Sequence, residues 1–124
     1  MTSFWPTELR VSKDRQSLSV TFNDAETFNL SAEMLRVLSP SAEVKGHGPG
    51  QEVTVPGKRN VAIISVTPTG NYAIRIGFDD FHDTGIFTWS YLRELGEHGA
   101  ELFSDYEKAL SEKGMTRDVS EKPR

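Results

Sequence analysis

Apolar residues at every second position, broken by short polar turns, leave this chain few folds to choose from. Leu9 and Val11 alternate with polar neighbours, Lys13-Asp14-Arg15-Gln16 turns the chain, and Leu18, Val20 and Phe22 alternate again. A second turn, Asn23-Asp24-Ala25-Glu26, leads to Phe28 and Leu30. Successive strand side chains point to opposite faces, so each segment gains one apolar face, and the pattern predicts a three-stranded antiparallel meander. The pattern returns further on. Val61-Ala62-Ile63-Ile64-Ser65-Val66 reads as a buried strand, Pro68-Thr69-Gly70-Asn71 as its turn, and Tyr72, Ile74, Ile76 and Phe78 as the returning strand. Ile86-Phe87 is expected to be a last short extended piece.

Helices are signalled by caps and by a longer period. Ser31 offers an N-cap oxygen to a helix starting at Ala32, with Met34, Leu35 and Leu38 on one face and Pro40 stopping it. Thr88 caps a second helix through Trp89, Leu92 and Leu95, which Gly96 is expected to end. A third is predicted over residues 100–113, where Leu102, Tyr106 and Leu110 fall at i, i+4 and i+8 and Gly114 suits the C′ position. Between Ser39 and Arg59, four Gly and three Pro interrupt regular structure, with Val53 and Val55 the material for a short strand. Residues 1–8 read as a lead-in whose Trp5-Pro6 pair staples the first strand, and residues 115–124 as a flexible tail. The order is not an alternating β-α-β-α. The expected fold is α+β: a single domain with a mostly antiparallel β-sheet, meander plus hairpin, and two to three packed helices.

A length of 124 residues supports one hydrophobic core, which seven Phe, three Tyr and two Trp can fill. The net charge of -4 argues against a nucleic-acid partner, which calls for a basic footprint. The chain has no cysteine, which excludes disulfides, thiolate metal sites and a cysteine nucleophile. No apolar run has the length of a membrane span, and the first residues lack the basic start and apolar stretch of a signal peptide. A cytoplasmic location away from membranes is the expectation.

Two polar segments carry the candidate chemistry, and each holds one histidine. The first is Gly46-His47-Gly48-Pro49-Gly50-Gln51. Its glycines allow close backbone approach, so successive N–H groups can converge on an acceptor. The spacing matches neither a phosphate loop nor a dinucleotide fingerprint, and no strand-to-helix context surrounds it. The second places Asp79, Asp80, His82 and Asp83 within five residues. Carboxylates with imidazole suit Fe, Zn or Mn, and His47 and His82 become joint ligands if the fold brings the segments together. His98 is a weaker candidate. The plainer reading of the second segment is an acidic turn whose side chains bond to backbone N–H groups. No Gly-x-Ser-x-Gly elbow or Ser/His/Asp order stands out. Phe78, Phe81, Phe87, Trp89 and Tyr91 are dense here, most of them core material and a few candidates for a partner surface.

These segments, with Leu35-Arg36-Val37, residues 39–44 and residues 88–96, resemble the gamma-butyrobetaine hydroxylase N-terminal-like domain family. The likeness runs over residues 9–114. It implies a domain that precedes an Fe(II)- and 2-oxoglutarate-dependent catalytic domain in the carnitine-synthesis dioxygenases, ends some Mrp-type iron–sulfur carrier ATPases, and stands alone in bacteria. In the dioxygenases the domain carries a structural zinc held by three cysteines and one histidine. On this chain Ser39, Ser41 and Val44 stand at the cysteine positions and only His82 matches a ligand, so the resemblance implies the zinc-free branch.

The expected function is a non-enzymatic module that binds a protein partner or supports a metalloenzyme or iron–sulfur system. Its expected surface joins Gly46, His47, Gly48, Gly50 and Gln51 to the Asp79–Gly85 turn and to Arg36, Lys58 and Arg59, whose charge attracts a carboxylate-bearing partner. The alternative is direct Fe or Zn binding through His47, His82, Asp79, Asp80 and Asp83.

Overall fold

The computed structural model describes residues 4–40 and 54–118. Strands β1 (Pro6–Val11), β2 (Ser17–Phe22) and β3 (Thr27–Ser31) form an antiparallel meander in that order. Its register places Val20 opposite Leu9 and Phe28, and Leu18 opposite Val11 and Leu30, so the apolar residues share one face. Helix α1 (Ala32–Val37) follows at once. The Ser31 hydroxyl accepts the Met34 N–H at 3.0 Å, the cap its sequence called for. A second antiparallel sheet holds β4 (Ile63–Thr69), β5 (Ala73–Phe78) and β6 (Gly85–Thr88).

The sheets and helices share one core. Leu18, Val20, Phe22 and Leu30 from the meander meet Ile63, Ile74, Ile76, Phe78 and Phe87 from the second sheet, with Leu35, Leu92 and Leu95 from the helices. The Ile63 N–H donates to the Arg15 carbonyl at 2.8 Å, tying the first hairpin to β4. The expected α+β architecture holds, with two three-stranded sheets. Among the described residues no helix is long and apolar enough to cross a membrane.

Several local expectations change. The two C-terminal helices are one helix, α2 (Trp89–Glu112), capped by Thr88 and running straight through Gly96. Glycine inside a helix costs roughly 1 kcal/mol relative to alanine, but here it permits close packing. A Cβ on Gly96 would lie 2.4 Å from the Phe28 ring, and one on Gly99 2.9 Å from Met34 Sδ. The helix ends where predicted: Gly114 N–H bonds Ser111 O at 3.1 Å and Met115 N–H bonds Leu110 O at 2.8 Å, a Schellman motif. In the second hairpin Pro68 and Thr69 stay within β4, opposite Ile74 and Ala73, and the loop is Gly70-Asn71-Tyr72. An edge strand tolerates proline because its missing N–H can face away from the ladder. At the amino end, Trp5 is half exposed, and Phe4 makes the staple: its ring meets Phe22 edge-on at 6.3 Å, beneath the Arg93 guanidinium.

Val55 lies outside any strand, and its carbonyl accepts the Tyr106 hydroxyl at 2.5 Å. Val53 falls outside the described residues. Residues 115–118, assigned by sequence to the tail, run back along the loop before β4. Gly57 N–H bonds Thr116 O and Arg59 N–H bonds Arg117 O, each at 2.9 Å.

Candidate functional site

The acidic segment forms a tightly bonded corner after β5. Phe81 N–H donates to Phe78 O at 3.1 Å and Phe78 N–H to His82 O at 2.9 Å, closing a three-residue turn with Phe81 at φ 70°. Such turns place their third residue in the left-handed region, where glycine is favoured and a bulky side chain is strained. Arg15 and Ala25 take positive φ in the turns of the meander. Phe81 is the large one, and it is 92% exposed.

Each neighbour in the corner has its own anchor. Asp79 Oδ1 accepts the Ala62 N–H at 3.1 Å, while Asp79 N–H donates to Ala62 O at 2.9 Å. Asp80 Oδ1 accepts the His82 N–H at 3.2 Å. Asp80 Oδ2 accepts both Arg36 Nε at 2.7 Å and Lys58 Nζ at 2.5 Å. One carboxylate thus ties α1, the loop before β4 and the corner after β5. Burial alone would raise the Asp80 pKa, but the hydrogen bonds from Lys58 and Arg36 outweigh it and hold the group at about 2.

That shift has a sign. A carboxyl whose folded pKa lies below its unfolded value stabilises the fold above the unfolded value and loses that stabilisation as pH falls. For Asp80 the loss falls between about pH 4 and pH 2, given the ordinary value of 3.8 and the folded value of about 2. The linkage amounts to ~2.5 kcal/mol at full strength, reduced to ~1–2 kcal/mol because the pair is partly solvent-screened. Asp14 and Asp24 are also held low, by hydrogen bonds from Ser12 and Arg93. Urea unfolding at pH 6 and pH 2.5 should therefore compare wild type with Asp80→Asn. Wild type is expected to lose ~1–2 kcal/mol more than the variant over that interval, and equal losses would remove Asp80 as the cause.

His82 is buried behind the corner. Its Nε2 lies 3.1 Å from the Ser39 hydroxyl, and its ring tilts against Phe78 at 6.1 Å. Ser39, just beyond α1, is fully buried. It occupies the space a side chain at Gly85 would need: a Cβ there would lie 2.2 Å from Ser39 Oγ.

The structure therefore brings Arg36, Lys58, Asp79, Asp80 and His82 together. Arg59 turns away to pair with Asp118, and Asp83 is exposed. His98 sits midway along α2, 3.7 Å from Glu101. Gly46, His47, Gly48, Gly50 and Gln51 lie outside the described residues, as do Ser41 and Val44. Among the described residues no group of three or more His, Asp or Glu is placed to hold a metal ion. The structural zinc of the dioxygenases does not fit this donor set: the chain has no cysteine, and the Ser39 hydroxyl faces His82 Nε2. The sequence reading grouped the basic residues with the Asp79–Gly85 turn, and Arg36 and Lys58 do meet Asp80 there, whereas Arg59 does not. It placed Phe81 in that turn among aromatics of which a few were partner-surface candidates, without saying which of them would stand outside the core.

Two shallow cavities flank Asp80. One, about 310 Å³, is lined by Arg36, Val55, Asp80, Phe81 and His82. The other, about 330 Å³, lies beside Lys58 and Asp79.

Known proteins resemble both the sequence and the fold. The profile of the family described as "Gamma-butyrobetaine hydroxylase-like, N-terminal" matches residues 9–93. One protein solved by solution NMR is 42% identical, with 94% of this chain and 92% of that chain aligned and a TM-score of 0.79. A second NMR structure is 38% identical over 98% of this chain and 94% of that one, also with a TM-score of 0.79. The crystal structure of a protein of unknown function from Acidithiobacillus ferrooxidans, assigned to the DUF971 family, is 38% identical. That alignment covers 73% of this chain and 91% of the other, with a TM-score of 0.61. No curated protein matches the chain. With the profile running from β1 into α2, this chain belongs to the gamma-butyrobetaine hydroxylase-like N-terminal domain family.

Proposed function

We propose that this chain is a non-catalytic interaction module, accessory to a metalloenzyme or iron–sulfur system, whose partner contact centres on Phe81. The observation that carries this reading is a phenylalanine 92% exposed and held at φ 70°. Left-handed backbone costs a non-glycine residue roughly 1–2 kcal/mol, and an exposed aromatic ring returns nothing to the monomer. An aromatic ring presented on a fixed backbone is what a partner pocket uses as an anchor, since little backbone freedom remains to be lost on binding. The corner is bonded to Ala62, Arg36 and Lys58, so the ring is displayed on a fixed frame. The accessory role rests on kinship with a domain named for its place beside a hydroxylase.

Phe81→Gly tests this. Glycine relieves the left-handed strain, so the variant should be as stable as wild type or up to ~1 kcal/mol more stable. Affinity capture with quantitative mass spectrometry should show partners held by wild type and by Tyr72→Ser, whose ring is half exposed on another hairpin, but lost by Phe81→Gly. An identical partner set for all three proteins would defeat the proposal.

A further inference from the structure

Lys58 reaches the Phe81 corner from a loop that residues 115–118 hold in place. Gly57 N–H donates to Thr116 O and Arg59 N–H to Arg117 O, each at 2.9 Å, so backbone bonds flank Lys58 on both sides. Lys58 Nζ bonds Asp80 Oδ2 at 2.5 Å, while Asp80 Oδ1 accepts the His82 N–H across Phe81. Arg117 seats the segment. Its guanidinium grips both oxygens of the buried Glu33 carboxylate, reaches Glu107 and lies over the Phe103 ring. The Arg59–Asp118 pair is exposed at both ends and adds little.

Resting on the reading of the Phe81 corner as a partner surface, we infer that residues 115–118 are a latch for that surface. With Arg117 seated on Glu33, the segment keeps Lys58 on Asp80 and the corner fixed. With Arg117 released, the loop and the corner loosen together. Lysine reaches its partner on a flexible four-carbon stem, and a bond made from a mobile backbone would have to fix that backbone as well. The latch has already removed that freedom. Losing Lys58 would leave the three carboxylates of the turn, Asp79, Asp80 and Asp83, against Arg36 alone, and like charges this close push a turn open. Arg36 comes from α1 and does not depend on the latch, so the corner loosens without the domain unfolding. Coupling of this kind is reciprocal: whatever fixes Phe81 tightens the latch, and whatever draws residues 115–118 away weakens the surface.

NMR of the full chain tests the latch in Arg117→Lys and in the double variant Arg117→Ala, Glu33→Gln, which strands no charge. In both, the Gly57 and Arg59 amides should exchange roughly tenfold faster relative to the core amide of Val20. The His82 amide should follow several-fold, and the Asp80 carboxyl, now without Lys58, should titrate above its value of about 2. A uniform loss of stability moves neither the exchange ratio nor a native-state titration. Lys58→Met keeps the stem but not the charge, and should loosen His82 as much while leaving Gly57 and Arg59 protected. Adding Arg117→Lys to it should loosen His82 no further. Faster exchange at Gly57 and Arg59 with His82 and Asp80 unchanged would make the segment a local brace, and unchanged Gly57 and Arg59 would acquit Arg117. Either result overturns the latch, as does further loosening of His82 when the two substitutions are combined. No partner enters these readings, so their failure leaves the Phe81 surface standing. Latch shifts as expected, with partner capture unchanged by Phe81→Gly, would overturn the partner reading instead.

Discussion

Arg117→Ala is expected to cost the domain about 3 kcal/mol, a large share of the stability of a fold this size. Arg117 Nε and Nη2 each lie 2.7 Å from one oxygen of Glu33, a bidentate pair. The Glu33 side chain is only 7% exposed and that of Arg117 26%. The cost comes from the partner left behind. Removing the guanidinium strands a buried carboxylate, which is worse than never having built the pair. The substitution also loosens residues 115–118 from the loop at Gly57 and Arg59, and takes the guanidinium off the Phe103 ring. The shift in the urea midpoint measures the loss. The double variant Arg117→Ala, Glu33→Gln should recover part of it by removing the stranded charge. A loss below about 1 kcal/mol would mean that the pair behaves as an ordinary surface ion pair.

Gly85→Ala should lose about 2–3 kcal/mol, because the added methyl has nowhere to go. Its Cβ would stand 2.2 Å from Ser39 Oγ and 3.2 Å from Phe87 Cε1, and both neighbours are fully buried. Ser39 cannot rotate away freely, because its hydroxyl is engaged by His82 Nε2. Combining Gly85→Ala with Ser39→Ala removes the nearest clashing atom. The double variant should therefore lose less than the sum of the single losses, a coupling readable from a double-mutant cycle. Additive losses would show that Phe87 rather than Ser39 sets the limit at this glycine.

Much of the fold was legible because strand and cap signals are local. Leu18, Val20 and Phe22 announce a one-sided strand by spacing alone, and each is 1% exposed or less. Ser31 and Thr88 cap their helices as their positions imply. Gly96 misled for an equally clear reason: helix propensity is local, but the gain that keeps this glycine inside α2 lies in Phe28, a residue of β3. Burial of Phe28 against the glycine outweighs a propensity cost of about 1 kcal/mol.

The grouping of the basic residues with the acidic turn was legible, but the bonds within it were not. Arg36, Lys58 and Asp80 could each be named as charged residues in polar or capping context, yet 44 residues separate the first and last. Sequence alone determined the alternation, the turns, the caps and the lack of cysteine, since each is decided by residues within a few positions or by composition. Only the tertiary structure decided that one aspartate would join α1 to two loops, that Arg117 would close over Glu33, and that Phe81 would point into solvent. Those outcomes depend on which side chains meet after the chain has folded back on itself. Pairing energies between distant charges, and the room left beside a glycine, have no expression in a linear pattern.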